Sequence, residues 1–274
     1  MTLVAAGRGR YAHGMRQRIY VEARIRASLP ALWEATQDPV AHASWDLRFS
    51  SITLMASPAG EPQWFRYENR TVPGAALTGI GISLGERHRP DGSCTSALRF
   101  RADSRLSPIA SGHGFWRYVP DGDAVRFFTG YDYVPGGQGA ALDRVLVRPV
   151  IGWMTAWSFD RLRLWLEHGI SPRTSFRRTL AAHTVRAGVV VTALVALDAP
   201  VSVAVTALTL LLPAPLRLPR ARRCLRRPPR GGSDAPPVIS ERVDEAALAA
   251  AGQTRPLATS SDAAKPTHRK ALRP

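Results

Sequence analysis

Lysine is almost absent from this chain of 274 residues: it occurs only at positions 265 and 270, so 35 of the 37 basic residues are arginine. The formal net charge of +16 is uneven, because the segment from Arg173 to Arg230 holds 11 arginines and one acid, Asp198, and contributes +10. A nucleic-acid-binding protein is expected to carry its positive charge on the folded part, interleaved with aromatic side chains. The distribution therefore argues against nucleic acid as a partner.

Cysteine is scarce too, with only Cys94 and Cys224. Neither lies in a CxxC or Cys/His spacing and the histidines form no HExxH pattern, so no disulfide framework and no metal site are predicted. Ser-His-Asp arrangements, paired carboxylates and Gly-rich phosphate loops are also missing, and we expect no cofactor. The N-terminal apolar run, Leu3–Ala6, is too short for a secretory signal, and residues 1–15 are predicted to be a flexible leader, with Met15 as an alternative start.

Strict alternation of apolar and polar residues from Arg18 to Arg26 predicts a strand with one buried face. Ser28 is placed as a helix N-cap with Pro30 in the first turn, so a short helix is expected up to Thr36, followed by a second one up to Trp45. Alternation then returns in six further segments. These are 49–55, 64–70, 79–88, 97–101, 114–119 and 124–133.

The segment from Leu142 to Gly169 is rich in good helix formers and predicts one long helix, kinked or restarted at Pro149. The element order is then a strand, two short helices, about six antiparallel strands and a long helix. Such an order predicts an α+β architecture, in which the last helix covers one face of a curved antiparallel sheet.

The strand faces opposite the charged residues are unusually aromatic and include isolated hydroxyl and amide groups. This composition suits a cavity that holds an apolar or aromatic ligand, and plain aromatic packing is the alternative for each residue. The ligand-binding candidates on the sheet are Phe65, Tyr67, Asn69, Trp116, Tyr118, Phe127, Thr129 and Tyr131. Trp153 and Trp157 of the long helix are the candidates for the cavity roof.

Residues 19–52 read IYVEARIRASLPALWEATQDPVAHASWDLRFSSI. This stretch, with its small residue plus proline, its LWEATQDP helix and its Trp45-Asp46 pair, resembles the start of the SRPBCC (START-like, polyketide cyclase/dehydrase-like) superfamily. The resemblance covers about residues 16–168. It implies the helix-grip fold, in which a curved antiparallel sheet wraps around a long C-terminal helix and a hydrophobic cavity. The superfamily has no shared catalytic residues, so the resemblance implies no particular activity.

An enzyme of the cyclase or dehydratase type, acting on a polyketide-like substrate, is one alternative function. Its chemistry needs a general acid or base in an apolar pocket. The catalytic candidates are Glu86 and His88, which share one strand face, and Tyr131. For Glu86 and His88, a solvated strand end is the competing interpretation.

Residues 187–212 carry a single charge, Asp198, and as a helix would span about 39 Å, more than the ~30 Å hydrocarbon core of a bilayer. A tilted transmembrane helix is the first expectation. A break at Asp198–Pro200 leaves two alternatives open, a hairpin of 187–197 and 201–212 or a buried extension of the folded domain. The arginines of Arg217–Arg230 would suit anionic lipid head groups.

We therefore expect five segments along the chain: leader 1–15, START-like domain 16–170, basic linker 171–186, hydrophobic membrane segment 187–212, and a basic, Pro/Ala-rich disordered tail 213–274. The leading functional hypothesis is a membrane-tethered module that binds a lipid, polyketide or isoprenoid. Its START-like domain is expected in the cytoplasm. Besides the enzyme, a non-catalytic, membrane-associated interaction protein is the remaining alternative.

Overall fold

The computed structural model describes residues 18–229, except 59, 71–75, 105, 213–214 and 216. Within them, seven strands form one antiparallel sheet in the order β1-β7-β6-β5-β4-β3-β2. The strands are β1 Ile19–Ile25, β2 Ser51–Leu54, β3 Trp64–Asn69, β4 Leu77–His88, β5 Cys94–Ala102, β6 Ile109–Asp121 and β7 Ala124–Pro135. Two short helices, α1 Leu29–Gln37 and α2 Pro39–Trp45, lie between β1 and β2.

Both short helices begin at side-chain caps. The Ser28 hydroxyl accepts a hydrogen bond from the N–H of Ala31 (3.3 Å), and the Asp38 carboxylate accepts one from the N–H of Ala41 (2.6 Å). Each helix has a proline in its first turn, where an N–H would have no partner. Local sequence thus determines where α1 and α2 start.

After β7 the chain forms one long helical stretch. It consists of α3 Ala140–Leu142, a π-helical turn at Asp143–Val147, and α4 Arg148–His168. The π turn lies just before Pro149, which lacks the N–H for the usual α-helical hydrogen bond. The interruption predicted at Pro149 is therefore present as a π-helical turn. Gly169 ends α4 with a φ of 62°, a left-handed conformation that glycine adopts without strain.

Helix α4 lies on the inner face of the sheet, by which we mean the face that carries the main core. Phe159 and Leu162 of α4 are fully buried there with Val21 of β1, and the Phe159 ring stacks on Phe127 of β7 with centroids 4.5 Å apart. A seven-stranded antiparallel sheet that holds a long helix is the helix-grip arrangement. The predicted α+β helix-grip fold is confirmed.

An apolar helix follows α4, as predicted, but it is not the single helix expected over 187–212. Helix α5 runs from Pro172 to Ala196, and α6, Ala199–Leu211, returns beside it, with Arg186 Nη2 donating to the carbonyl of Leu212 (2.7 Å). The break arises because Asp198 takes an N-cap position with Pro200 in the next turn. The hairpin alternative is the one the structure adopts.

The predicted basic linker 171–186 is also helical. Ser171 caps α5 by accepting a hydrogen bond from the N–H of Thr174 (3.2 Å), so the arginines at 173, 177, 178 and 186 lie on this helix. The segment predicted as a basic linker is therefore part of a helix whose start is set by the Ser171 cap and Pro172.

The predicted disordered tail 213–274 is wrong for residues 217–229, which we call the return segment. Leu218, Ala221 and Cys224 are buried against the domain. Leu225 pairs with β1, its N–H and carbonyl each bonding to the backbone of Glu22 at 2.9 Å. The leader 1–15 and the rest of the predicted tail, 230–274, lie outside the described residues.

Asp160 of α4 holds the return segment in place. Its carboxylate is fully buried and accepts hydrogen bonds from Arg163 Nε (2.7 Å), the backbone N–H of Arg220 (2.7 Å) and Arg223 Nη1 (2.9 Å). Arg226 adds a bond from Nη2 to the carbonyl of Pro149 (3.1 Å). These arginines therefore bind protein, although the sequence suggested lipid for the whole of Arg217–Arg230.

Candidate functional site

Aromatic rings fill the inner face next to α4. Trp116, Tyr118 and Phe127 are buried, and the Phe127 centroid lies 5.8 Å from that of Trp116 and 5.0 Å from that of Tyr118. Trp116 also lies 6.1 Å from the ring of Trp45 in α2. These three predicted ligand-binding residues are therefore packed core.

The buried tyrosine hydroxyls on this face form hydrogen bonds that connect the sheet to helices α1 and α4. Thr36 already donates its hydroxyl proton to backbone carbonyls of α1, so Tyr118 donates to Thr36 across a distance of 2.7 Å. Thr155 likewise donates within α4, so it accepts from the Tyr131 hydroxyl at 2.8 Å. Burial raises the pKa of both tyrosines, which keeps them protonated as donors. The proton of Tyr131, a catalytic candidate, is thereby engaged in a structural bond.

The other predicted polar lining groups are satisfied inside the protein as well. Thr129 is buried and donates to the carbonyl of Phe115 (2.9 Å). Asn69 Nδ2 donates to the carbonyls of Leu47 (3.3 Å) and Arg48 (2.8 Å), which fixes the loop between α2 and β2. The polar groups that the sequence suggested for ligand recognition thus hold the fold together.

A second part of the inner face is apolar and only half-buried. Phe65 and Tyr67 of β3 pair with Gly81 and Gly79 of β4, and Gly81 in turn pairs with Phe100 of β5. The rings lie over the glycines, since a Cβ at Gly81 would overlap the Phe65 ring and one at Gly79 the Tyr67 ring. We call this surface the open half of the inner face; it consists of Phe65, Tyr67, Leu98 and Phe100.

An ion pair lies in the loop between α2 and β2, beside this surface. Asp46 Oδ1 accepts from Arg48 Nε (2.9 Å), Oδ2 accepts from Arg48 Nη2 (2.6 Å), and His42 Nε2 lies 3.2 Å from Oδ2. The Asp46 side chain is fully buried and that of Arg48 is 19% exposed. The Arg48 guanidinium also lies 5.4 Å from the Tyr131 ring centroid.

The electrostatics of this pair follow from burial and proximity. Burial alone would raise the pKa of Asp46, but the charge of Arg48 and hydrogen bonds from His42 and Arg48 hold that pKa well below its usual range. Burial lowers the pKa of His42, and Asp46 offsets only part of that effect. The cluster therefore contains an ionised Asp46–Arg48 pair with a largely neutral imidazole beside it.

Sequence reasoning noticed Asp46 only within the Trp-Asp pair and missed Arg48 and Thr155. Arg48 gave no signal because arginine is frequent throughout this chain. Thr155 is one of several small residues on the long helix, and its role depends on Tyr131 from a different element. Both roles arise from contacts between distant parts of the chain.

The other catalytic candidates lie at a solvated strand end. The side chains of Glu86 and His88 are 45% and 65% exposed, with His88 Nε2 3.7 Å from Glu86 Oε2. His88 Nδ1 is 3.0 Å from the Sγ of Cys94. Burial raises the pKa of the Cys94 thiol, so Cys94 is not an activated thiolate. The solvated interpretation of Glu86 and His88 fits this geometry, and we assign no acid or base role to them.

The two tryptophans predicted as the cavity roof differ in position. Trp157 is buried, whereas Trp153 is 47% exposed. The Trp153 ring stacks on that of Trp157 (centroids 6.4 Å apart), which in turn meets the edge of Phe176 in α5 (6.4 Å). Trp153 therefore continues the apolar surface of α5 and does not close the inner face, which corrects the prediction for this residue.

Comparison with known proteins gives one curated relative. No protein-family model matches the chain. A Bacillus subtilis (strain 168) protein, described as uncharacterized membrane protein YndG, is 42% identical over 170 residues, which are 61% of this chain and 63% of that protein. The chain thus spans less than two thirds of the length of this relative.

Solved structures with a similar fold include three whose descriptions are informative. A STAR-related lipid transfer protein from Xanthomonas axonopodis is 21% identical, covering 54% of this chain and 84% of that chain with a TM-score of 0.40. The Zhui aromatase/cyclase from Streptomyces sp. R1128 is 16% identical, covering 54% and 96% (TM-score 0.38). A START superfamily protein from Mycobacterium smegmatis is 14% identical, covering 52% and 94% (TM-score 0.39).

The observed topology is the helix-grip arrangement that the resemblance in the sequence implies. The resemblance seen in the sequence is confirmed at this level. The START-like domain comprises the sheet, α1 to α4 and the return segment, which completes it at β1 and α4.

The START-like domain joins the hairpin at a cavity of about 430 Å³. It is lined by His168, Gly169, Ile170, Ser171, Thr174, Arg178 and Arg217. None of the predicted ligand-binding residues lines it. A shallower hollow of about 250 Å³ lies between Arg24, Arg26, Arg163 and Glu167.

Among the described residues, one helix is long and apolar enough to cross a membrane, and it is α5. Helix α6 is apolar but shorter. Together with the curated membrane relative, this helix is consistent with membrane association of the chain.

Proposed function

We propose that the chain is a membrane-attached START-like module that binds a hydrophobic small molecule, such as a lipid, polyketide or isoprenoid, without catalysing its conversion. The α5–α6 hairpin carries this proposal. Its small and hydroxyl side chains face inward, and its large apolar side chains face outward.

The distribution of side chains in the hairpin is the opposite of that expected for two helices that pack together in water. Ala193, Ser202 and Thr209 are buried between the helices, while Val195 and Leu211 are 82% and 80% exposed. In water, burial of the large apolar side chains would drive the packing. Membrane helices instead pack through small and hydroxyl side chains and turn large apolar ones to lipid. The pattern therefore supports insertion of the hairpin into a bilayer.

The length of the hairpin limits how deeply it inserts into the bilayer and determines whether its two ends lie on the same side of the membrane. Helix α6 has 13 residues, about 20 Å against the ~30 Å hydrocarbon core, so a hairpin of this length enters the bilayer without crossing it. Both flanking arginine groups, at 173–186 and at 217–227, then lie on one side. The positive-inside rule favours the cytoplasm for that side and for the START-like domain.

Charges on the outer surface of the hairpin are expected to release the chain from membranes. In the double variant Val195→Arg/Leu211→Arg, each arginine opposes insertion by about 2.5–3.5 kcal/mol at the centre of a membrane helix, and by less near its ends. We expect the wild type to stay in the membrane pellet after alkaline carbonate extraction and the variant to move to the supernatant.

Leu106→Arg is the matched control, because Leu106 is equally exposed (78%) but lies in the β5–β6 connection. This variant should stay in the pellet. A wild type that is fully extracted would contradict membrane attachment. Protease protection in sealed inverted vesicles measures the side: digestion of the START-like domain supports the cytoplasmic placement, and protection contradicts it.

The open half of the inner face is the ligand surface in this proposal. It offers half-buried rings packed over glycines, and apolar and aromatic side chains of this kind are the predominant lining of sites for small hydrophobic molecules. The partly exposed Arg48 beside it provides one polar contact for an oxygen of the ligand. The rest of the inner face is closed by packed rings.

Removal of one aromatic ring from the open half of the inner face tests whether the ligand binds there, and removal of a ring from the outer face controls for a general loss of stability. Phe65→Ala is expected to weaken binding of a fluorescent fatty-acid probe about tenfold, since an aromatic contact plus its buried area exceeds ~1.4 kcal/mol. Trp64→Ala is the control, because Trp64 neighbours Phe65 on β3 and its side chain is on the outer face.

Native mass spectrometry of the chain after detergent extraction gives the independent measurement. A co-purifying apolar molecule that is lost in Phe65→Ala supports the proposal. No such molecule and no probe binding would contradict ligand binding and favour the non-catalytic interaction protein. The cyclase or dehydratase alternative has no observation in its favour, because the Tyr131 proton is engaged and Glu86 and His88 are solvated.

A further inference from the structure

The cavity at the end of α4 is built from three separate parts of the chain. His168 and Gly169 end α4, Ser171 to Arg178 form the first turns of α5, and Arg217 begins the return segment. It lies at the base of the hairpin. Its floor is apolar at Ile170, which is 9% exposed. The N–H groups of Gly169 and Ile170 donate to the carbonyls of Trp165 and Leu164, which fixes the chain where α4 ends beside the cavity.

Every ionisable side chain in the lining is basic: His168, Arg178 and Arg217. Among the described residues, neither of these arginines forms an ion pair with a carboxylate. The nearby acid Glu167 accepts from Arg163 Nη1 (2.7 Å) and from the backbone N–H of Arg26 (2.9 Å), and its Oε2 lies 3.7 Å from Nε2 of His168. Arg178 and Arg217 therefore present positive charge to the cavity that no carboxylate of the described residues neutralises.

The lining also provides an oriented hydroxyl. Ser171 Oγ donates to Thr174 Oγ1 (2.9 Å) and accepts from the N–H of Thr174, which leaves the proton of the Thr174 hydroxyl for a ligand. Two guanidinium groups and a hydroxyl donor around one cavity match the acceptor oxygens of a phosphoryl group.

We infer that this cavity binds a glycerophosphoryl group, with Arg178, Arg217 and Thr174 as its donors. A volume of about 430 Å³ is in the range of small-molecule sites and exceeds the needs of inorganic phosphate, so a phosphate ester with a glycerol-sized substituent fits best. The inference extends the proposed function, because at the base of an inserted hairpin such a group is presented by the head group of an anionic phospholipid.

The test is a titration of the full chain with sn-glycerol 3-phosphate in dodecyl maltoside micelles, which contain no phosphate, followed by ³¹P NMR. We expect saturable binding. It should weaken at least tenfold in Arg178→Gln/Arg217→Gln, which keeps the size of the side chains and removes the charge. The matched control Arg173→Gln/Arg222→Gln removes the same charge from exposed arginines outside the cavity, and its affinity should stay within twofold of the wild type.

Phosphatidylglycerol added to the micelles distinguishes the source of the group. If the lipid head group is the ligand, phosphatidylglycerol abolishes binding of sn-glycerol 3-phosphate and phosphatidylcholine does not. Persistent binding in its presence assigns the site to a soluble phosphate ester. Absence of saturable binding, or an equal loss in both double variants, overturns the inference. Because the titration uses micelles, its result is independent of carbonate extraction, which tests membrane attachment.

Discussion

Replacement of Asp160 by alanine is expected to lower the free energy of unfolding by about 3–5 kcal/mol, the usual cost of removing one partner from a buried ion pair. The side chain is fully buried and is the shared acceptor for Arg163, Arg223 and the backbone N–H of Arg220. Its loss leaves these donors inside the protein without their carboxylate. Thermal and urea unfolding of the detergent-solubilised chain measure the change.

Cys224 provides a local readout of the same substitution. Burial raises the pKa of its thiol to about 12, so at pH 8 the folded chain holds almost no thiolate there. In a Cys94→Ser background we expect slow maleimide labelling of the wild-type return segment and labelling at least tenfold faster in Asp160→Ala, because release of the segment restores an ordinary thiol.

Asp123→Ala is the control for this experiment, since Asp123 also pairs with arginines, Arg24 and Arg26, but on the exposed surface. It should change neither stability nor labelling appreciably. Unchanged labelling of Cys224 in Asp160→Ala would mean that Asp160 does not hold the return segment.

Substitution of Asp46 by asparagine should have a comparably large effect, about 3 kcal/mol at pH 7, because it leaves the mostly buried Arg48 without its anion. The effect should depend on pH. The pKa of Asp46 is depressed in the folded chain, so its contribution is complete above the unfolded value of about 3.9 and is lost as the pH falls through the folded value. The difference between wild type and variant is therefore greatest near neutrality and shrinks in acid.

Urea unfolding at a series of pH values from 7 down to 3 measures this difference. Glu68→Gln is the control, because Glu68 pairs with the exposed Arg70, and it should cost less than about 1 kcal/mol at any pH. A difference for Asp46→Asn that stays constant down to pH 3 would contradict the low pKa of Asp46 in the folded state, because the unfolded carboxyl takes up its proton in this range and the folded one would not. A difference that grows in acid would contradict it.

The fold was predictable because its signals are local. Alternation with one charged face predicts each strand, and Ser28 marks the start of α1 as the cap that the structure contains. The break at Asp198 and Pro200 has the same local origin. Hydropathy alone could not distinguish one helix from two over residues 187–212, because it reports only that the segment is apolar and long enough to span a bilayer.

The site was less predictable because it depends on contacts between distant residues. Aromatic content predicts an inner face rich in rings, but acceptors on other elements, Thr36 and Thr155, decide that two of its hydroxyls are structural. The return segment shows the same limit. Its composition of arginine and proline is typical of disorder, and its order comes from one carboxylate about 60 residues earlier in the chain and from the edge of β1.

The pairing of Leu225 with Glu22 has a consequence for the biosynthesis of the chain. Synthesis proceeds from the N-terminus, so β1 emerges from the ribosome early and its outer edge has no partner until residue 225 has been made. The hairpin is made before that residue. Until residue 225 has been made, the incomplete chain therefore exposes both the large apolar side chains of the hairpin and an unprotected strand edge. Chains stalled before residue 225 should consequently be the species most prone to aggregate.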